Sequence, residues 1–315
     1  MSDISRVTQQ SATMLMVADL QSSLGSLTTL QQEAASGKSL NQPSDNPSGT
    51  SQVLSLNSQM GRFQQYSSNI SDGQSWLNSA DGALGSAVKA LDQVQTDVLA
   101  GANASASDAA SDQALSTEVT AIKQQLLGLA DTTYNNRNIF SGTYGTSPYP
   151  QGSAAGTSDP TSASYDPATA YGYAGSTTPV TRTVSPGETV KVSLTGDQVF
   201  GSGTSSVFAL LDTISQDLTA GNSSALSGTD LTQLQAAMNT VTQAQGTVGA
   251  LGAGLASDAI QVTSKISALQ DQVATISDAD EDQVASQLDL AETSYQAALE
   301  TTAKIIQPSL VQFLS

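Results

Sequence analysis

The 315-residue sequence contains no cysteine and no histidine. Without cysteine there is no disulfide framework, no thiolate metal site and no cysteine nucleophile. Without histidine the usual general base near neutral pH and the commonest metal ligand are missing, which excludes a Ser-His-Asp triad and an HExxH zinc site. Aromatic residues make up 4% and charged residues 12% of the chain, leaving little material for an aromatic-lined substrate pocket. Positive charge is scarce too: 10 Lys and Arg stand against 28 Asp and Glu, a formal net charge of −18. A chain of that sign repels phosphate backbones and anionic membrane surfaces, so neither nucleic acid nor a membrane is expected as a partner. The start, Met1-Ser-Asp-Ile-Ser-Arg6, has no basic n-region and no apolar h-region. No apolar run approaches membrane-spanning length. No enzyme activity, cofactor or metal is expected.

What the chain does contain is Ala, Ser, Thr and Gln, with a hydrophobic fraction of 38%, too high for a disordered polymer. Residues 1–40 read as one helix in which Val17, Leu20, Leu24, Leu27 and Ala34 recur at three- and four-residue spacing, the period of a coiled-coil seam. The segment Gly37–Gly49 breaks it with two prolines; Asn46-Pro47 supplies a capping side chain and a proline for the first turn of a second helix. That helix runs to about Leu99 on a face that includes Phe63, Ile70, Leu77, Leu84 and Leu91, with the single Trp76 read as core. A loop at 101–107 and a third helix over 111–131 follow. From about 144 to 203 the helical period is lost, and two alternating runs, Pro179–Val184 and Thr189–Leu194, flank the turn signal Ser185-Pro-Gly-Glu188, predicting a β-hairpin.

Helical patterning returns at Val207, closes at Gly221-Asn222 and restarts from Thr229. Glycines 246, 249, 252 and 254 weaken this last helix by up to ~1 kcal/mol each relative to Ala. Ser277–Asp282 interrupts, and the stripe resumes out of phase as Val284, Leu288, Ala291, Tyr295, Ala298 and Ile305. Asp278, Asp280 and Asp282 have the spacing of a calcium loop, but Gln283 stands where a Gly is needed, so a helix cap is the better account.

The two ends mirror each other. The predicted fold class is mainly α: a long antiparallel helical coiled-coil rod built from both chain ends, with a small β-rich inserted domain. Residues 1–42 with 277–315 form the terminal coiled-coil arms, 43–143 with 204–276 a helical rod domain, and 144–203 the β-rich outer insertion. A single narrow seam offsets only part of the conformational entropy of ordering such arms, so they are expected to order fully where neighbouring copies supply more surface. The residues expected at that assembly interface are Val17, Leu20, Leu24, Leu27, Val284, Leu288, Tyr295 and Ile305. Limited proteolysis of the monomer is expected to leave a core near residues 45–275.

Several segments carry a resemblance: Ser36-Gly-Lys-Ser-Leu-Asn-Gln-Pro-Ser-Asp-Asn-Pro47; Asn69-Ile70, Trp76-Leu77, Asp81 and Ala83-Leu84 in order; Ala100–Asn103; Leu129–Thr132 with Arg137–Thr143; Leu194–Phe200 with Val207–Leu211; Ser277–Asp280; and Ser309–Leu314. In order and spacing they resemble the bacterial flagellin superfamily, and within it the shorter hook–filament junction proteins. The resemblance implies an exported structural subunit, a ring of like copies between hook and filament that nucleates flagellin assembly. It implies as partners the first hook-associated junction protein, flagellin, further copies of this chain and a cytoplasmic export chaperone. It implies an extracellular place on the flagellum, reached by type III export without a cleaved signal. Three rival readings stand beside it. Flagellin itself is one, and a secreted coiled-coil adhesin another. The third is a hydrolase or lyase using Asp159, Asp166, Glu188 and Asp197, against which their wide separation speaks.

Overall fold

A computed structural model describes residues 2–103, 109–150 and 165–313, with side chains described between Met14 and Ala303. Helix α1 spans Ser2–Ser36, α2 Pro47–Asn103 and α3 Ala109–Ala130. Two short strands follow, β1 Thr133–Tyr134 and β2 Arg137–Asn138, then α4 Pro167–Ala170. Strands β3 Thr181–Ser185 and β4 Glu188–Lys191 precede α5 Gly196–Phe200 and α6 Val207–Thr219. The short α7 Ser223–Ala225 runs through a π turn, Leu226–Asp230, into α8 Leu231–Ser277, and α9 covers Glu281–Phe313. The protein is mainly α, as its periodicity predicts, with two small antiparallel sheets among the described residues.

Local chemistry accounts for the boundaries. Gly37 ends α1 at φ +67°, and its N–H reaches Glu33 O at 2.9 Å. Asn46 caps α2, its Oδ1 accepting from Gly49 N–H at 2.9 Å, with Pro47 in the first turn. The predicted hairpin forms: Thr181 pairs with Lys191 and Arg182 with Val190, and the register shifts between Thr183 and Ser185. The β1–β2 hairpin was not expected. Asn135 and Asn136 turn it at φ 48° and 59°, the left-handed geometry that Asn tolerates best after Gly. The acidic joint after α8 is a cap, with Asp280 Oδ1 accepting from Gln283 N–H at 3.2 Å. Helix α8 passes unbroken through the four glycines.

The chain divides into two units, one of residues 1–62 with 265–315 and the other of residues 63–264. The second holds most of the core. Along α2, Ile70, Leu77, Leu84, Leu91 and Val98 are buried at seven-residue spacing, and along α8 Leu234, Val241, Val248 and Leu255 repeat it. Trp76 is buried as core, edge-on to Tyr134 with ring centroids 5.8 Å apart. An aromatic cluster links the irregular segment to α6: Phe208 meets Tyr149 at 4.9 Å and Phe200 meets Phe140 at 5.4 Å. Gly142, at φ +61°, lies so close to this segment that a Cβ would fall 2.2 Å from Ser176 O.

Between α3 and α6 runs a polar line. Ser116 Oγ and Ser215 Oγ are 2.8 Å apart, and Lys123 Nζ meets Asp212 Oδ1 at 2.5 Å. The second oxygen of Asp212 accepts from Tyr171 at 2.6 Å and Tyr165 at 2.8 Å. Burial, and then that neighbouring carboxylate, push both phenols well above their ordinary range.

Candidate assembly interface

In the first unit α1 packs on α9. The C-terminal end of α1 is tied to the start of α9 by backbone. Ser39 N–H donates to Ser277 O at 2.9 Å, and Ala279 N–H to Gly37 O at 3.0 Å. Lys38 and Asp278 form an isolated antiparallel bridge between these bonds. Asp45 holds the following turn, its Oδ2 accepting from Gln42 N–H at 2.6 Å and Asn41 N–H at 3.1 Å. The two helices therefore run antiparallel away from a hydrogen-bonded joint.

The partly covered face of α1 is Met16, Leu20, Ser23, Leu27 and Leu30, and that of α9 is Val284, Leu288, Ala291, Tyr295, Ala298 and Thr302. Both keep four-three spacing. The eight residues expected at the interface separate into groups. Leu27 and Val284 are buried inside the monomer, 9% and 6% exposed. Leu20, Leu288 and Tyr295 are half-buried along the same seam. Val17 and Leu24 are 43% and 46% exposed, turned to a flank. Ile305 has its side chain outside the described residues.

The flank holds more than sequence reading found. Met14 stands three residues before Val17, which stands seven before Leu24, so all three share one side of α1. Met14 is 64% exposed. On α9, Leu290 and Leu299 are 68% and 42% exposed. The signal was in the spacing: α1 carries two offset stripes, and only one of them can face α9.

Of the four acids in the hydrolase reading, Asp197 sits in the first turn of α5, its Oδ1 buried without a hydrogen-bond partner among the described residues, and two others serve local structure. Asp166 caps α4 by accepting from Ala168 N–H at 3.0 Å, Glu188 accepts from Ser185 at 2.8 Å, and Asp159 lies outside the described residues. Among the described residues no group of three or more acidic side chains is placed to hold a metal ion, and no helix is long and apolar enough to cross a membrane.

Residues 7–145 match the family model of the bacterial flagellin N-terminal helical region. The match lies in the N-terminal part of the chain, over α1, α2, α3 and the β1–β2 hairpin. Flagellar hook-associated protein 3 of Salmonella typhimurium is 29% identical over 178 residues, 56% of this chain and 50% of that protein. B-type flagellin of Pseudomonas aeruginosa is 31% identical over 138 residues, 44% of this chain and 28% of the relative. The chain thus spans half or less of the length of these curated relatives. Among solved structures, flagellar hook-associated protein 3 of Legionella pneumophila superposes with a TM-score of 0.60 at 15% identity, covering 71% of this chain and 98% of that one. That likeness is one of fold, in agreement with the helical architecture described above.

Proposed function

We propose that this chain is a structural subunit of the bacterial flagellum, not an enzyme, and that it forms the junction ring between hook and filament. The observation that carries the proposal is the surface of the first unit. Met14, Val17 and Leu24 on α1, with Leu290 and Leu299 on α9, are large apolar side chains held in solvent, and α1 lies within the residues that match the flagellin N-terminal helical region. Fully burying such a side chain is worth about 1.5–3 kcal/mol, and a neighbouring copy supplies that cover while holding the arms in place. Leu20, Leu27, Val284, Leu288 and Tyr295 would then keep the intramolecular seam closed while the flank takes the neighbour.

The fold likeness to hook-associated protein 3 and the longer match to that protein's Salmonella representative favour the junction over flagellin itself. In this reading the partners are like copies around the ring, the hook-side junction protein beneath, flagellin above, and an export chaperone before assembly. Its place is the extracellular flagellum.

Deleting the gene, imaging the cells and assaying the medium for flagellin tests the proposal. Bare hooks with unpolymerised flagellin in the medium are expected. Cells lacking filament protein altogether would identify the chain as flagellin, and normal flagella would refute both readings.

A further inference from the structure

The second unit contains two buried carboxyl groups that neither the aromatic cluster nor the Lys123–Asp212 pair accounts for. Asp97 of α2 and Asp230 of the π turn are each 3% exposed, and among the described residues the Oδ2 atom of each lacks a hydrogen-bond partner. A buried ionised carboxylate with an orphan oxygen is costly unless it is neutralised. What faces them is more negative charge. Glu118 of α3 approaches Asp97, and Gln93 donates to both, at 3.1 Å to Asp97 and 3.3 Å to Glu118. Asp217 of α6 lies near enough to Asp230 for its negative charge to oppose ionisation there.

These segments meet at one place. A Cβ on Gly101, one turn beyond Asp97, would lie 2.3 Å from Leu218 and 3.3 Å from Leu226. Leu218 adjoins Asp217, and Leu226 stands one turn before Asp230. A further acid, Asp112 at the start of α3, lies beside Gly221. Neither Asp97 nor Asp230 takes part in an ion pair among the described residues. Lys123 is already engaged with Asp212 further along α3 and α6.

We propose that this end of the second unit is a proton-operated latch: with Asp97 and Asp230 protonated, the ends of α2, α3 and α6 and the π turn close on one another, and with both ionised that end opens. Burial and the neighbouring acid raise each carboxyl to about 6 from an ordinary 3.8, so the latch works between mildly acidic and neutral pH. It needs no metal and no ligand, and it stands independently of the assembly role.

Amide hydrogen exchange on the full chain at pH 5 and pH 8, corrected for intrinsic chemistry, tests it. Protection over residues 93–103 and 215–231 is expected to fall by about tenfold or more at the higher pH. Protection around Lys123 is expected to stay constant. Asp97→Asn with Asp230→Asn should abolish the pH dependence and leave both segments protected. Wild-type protection that ignores pH, or a folded double variant that keeps the dependence, overturns the latch. If the double variant fails to fold, carboxyl NMR titration of the intact protein decides: midpoints above 5 for both groups support the latch, and midpoints near 4 refute it.

Discussion

Lys123 and Asp212 form an ion pair at 2.5 Å with both side chains 3% exposed. Two phenol hydroxyls also end on that carboxylate. Asp212→Ala removes the acceptor for three donors at once and leaves a buried ammonium. Breaking such a pair from one side costs about 3–5 kcal/mol; replacing both partners by apolar residues removes the stranded ammonium but still leaves the Tyr165 and Tyr171 hydroxyls without their acceptor, so the double variant should recover only part of the loss. Urea unfolding of Asp212→Ala and of Lys123→Met with Asp212→Leu should show that contrast.

Exposed and buried members of the α1 stripe should respond oppositely. Val17→Asp and Leu24→Asp are expected to leave monomer stability within about 0.5 kcal/mol of wild type while abolishing assembly in a motility assay. Leu27→Ala removes a side chain already buried between α1 and α9 and should cost the monomer about 2 kcal/mol or more. Thermal melts of purified monomer measure the stability side of the comparison.

The cap at Asn46 gives a local prediction. Asn46→Ala loses the bond to Gly49 N–H and should destabilise the start of α2 by about 1 kcal/mol. Faster amide exchange confined to the first turn of α2 would show it.

Stability should depend on pH in a particular direction. Asp97 and Asp230 bind protons more tightly folded than unfolded, so their contribution is full below about 4 and is lost as pH rises through about 6. Denaturant midpoints are therefore expected to climb as pH falls from 7.5 to 5. Asp97→Asn should raise the unfolding free energy at pH 7.5 by on the order of 2 kcal/mol and have little effect at pH 4.

Much of this fold was legible because it is written in local rules. Asn46-Pro47 starts a helix wherever it occurs before a periodic run, and Ser185-Pro-Gly-Glu188 between alternating runs makes a hairpin. The seven-residue repeats along α2 and α8 announced buried faces. What stayed hidden depends on partners distant in sequence. Nothing local to Lys123 points to Asp212, 89 residues away, and nothing in the runs around Asp97 marks it for burial. The boundary between the two units falls at Arg62–Phe63 and Ser264–Lys265, inside continuous helices, where composition does not change. On α1 the stripe was visible but its division was not, because choosing between Val17–Leu24 and Leu20–Leu27 requires knowing where α9 lies.

The joint of Gly37–Ser39 with Ser277–Ala279 also sets an order of events. Its bonds close a loop whose ends are 238 residues apart. On the ribosome, α1 emerges ahead of α2–α8 and has no partner until α9 has followed them. Local helix formation along α2 and α3 and collapse of the second unit need no such wait. Helix α1 is thus made well before α9 yet finished late, and for that interval its apolar stripes remain open to whatever binds them.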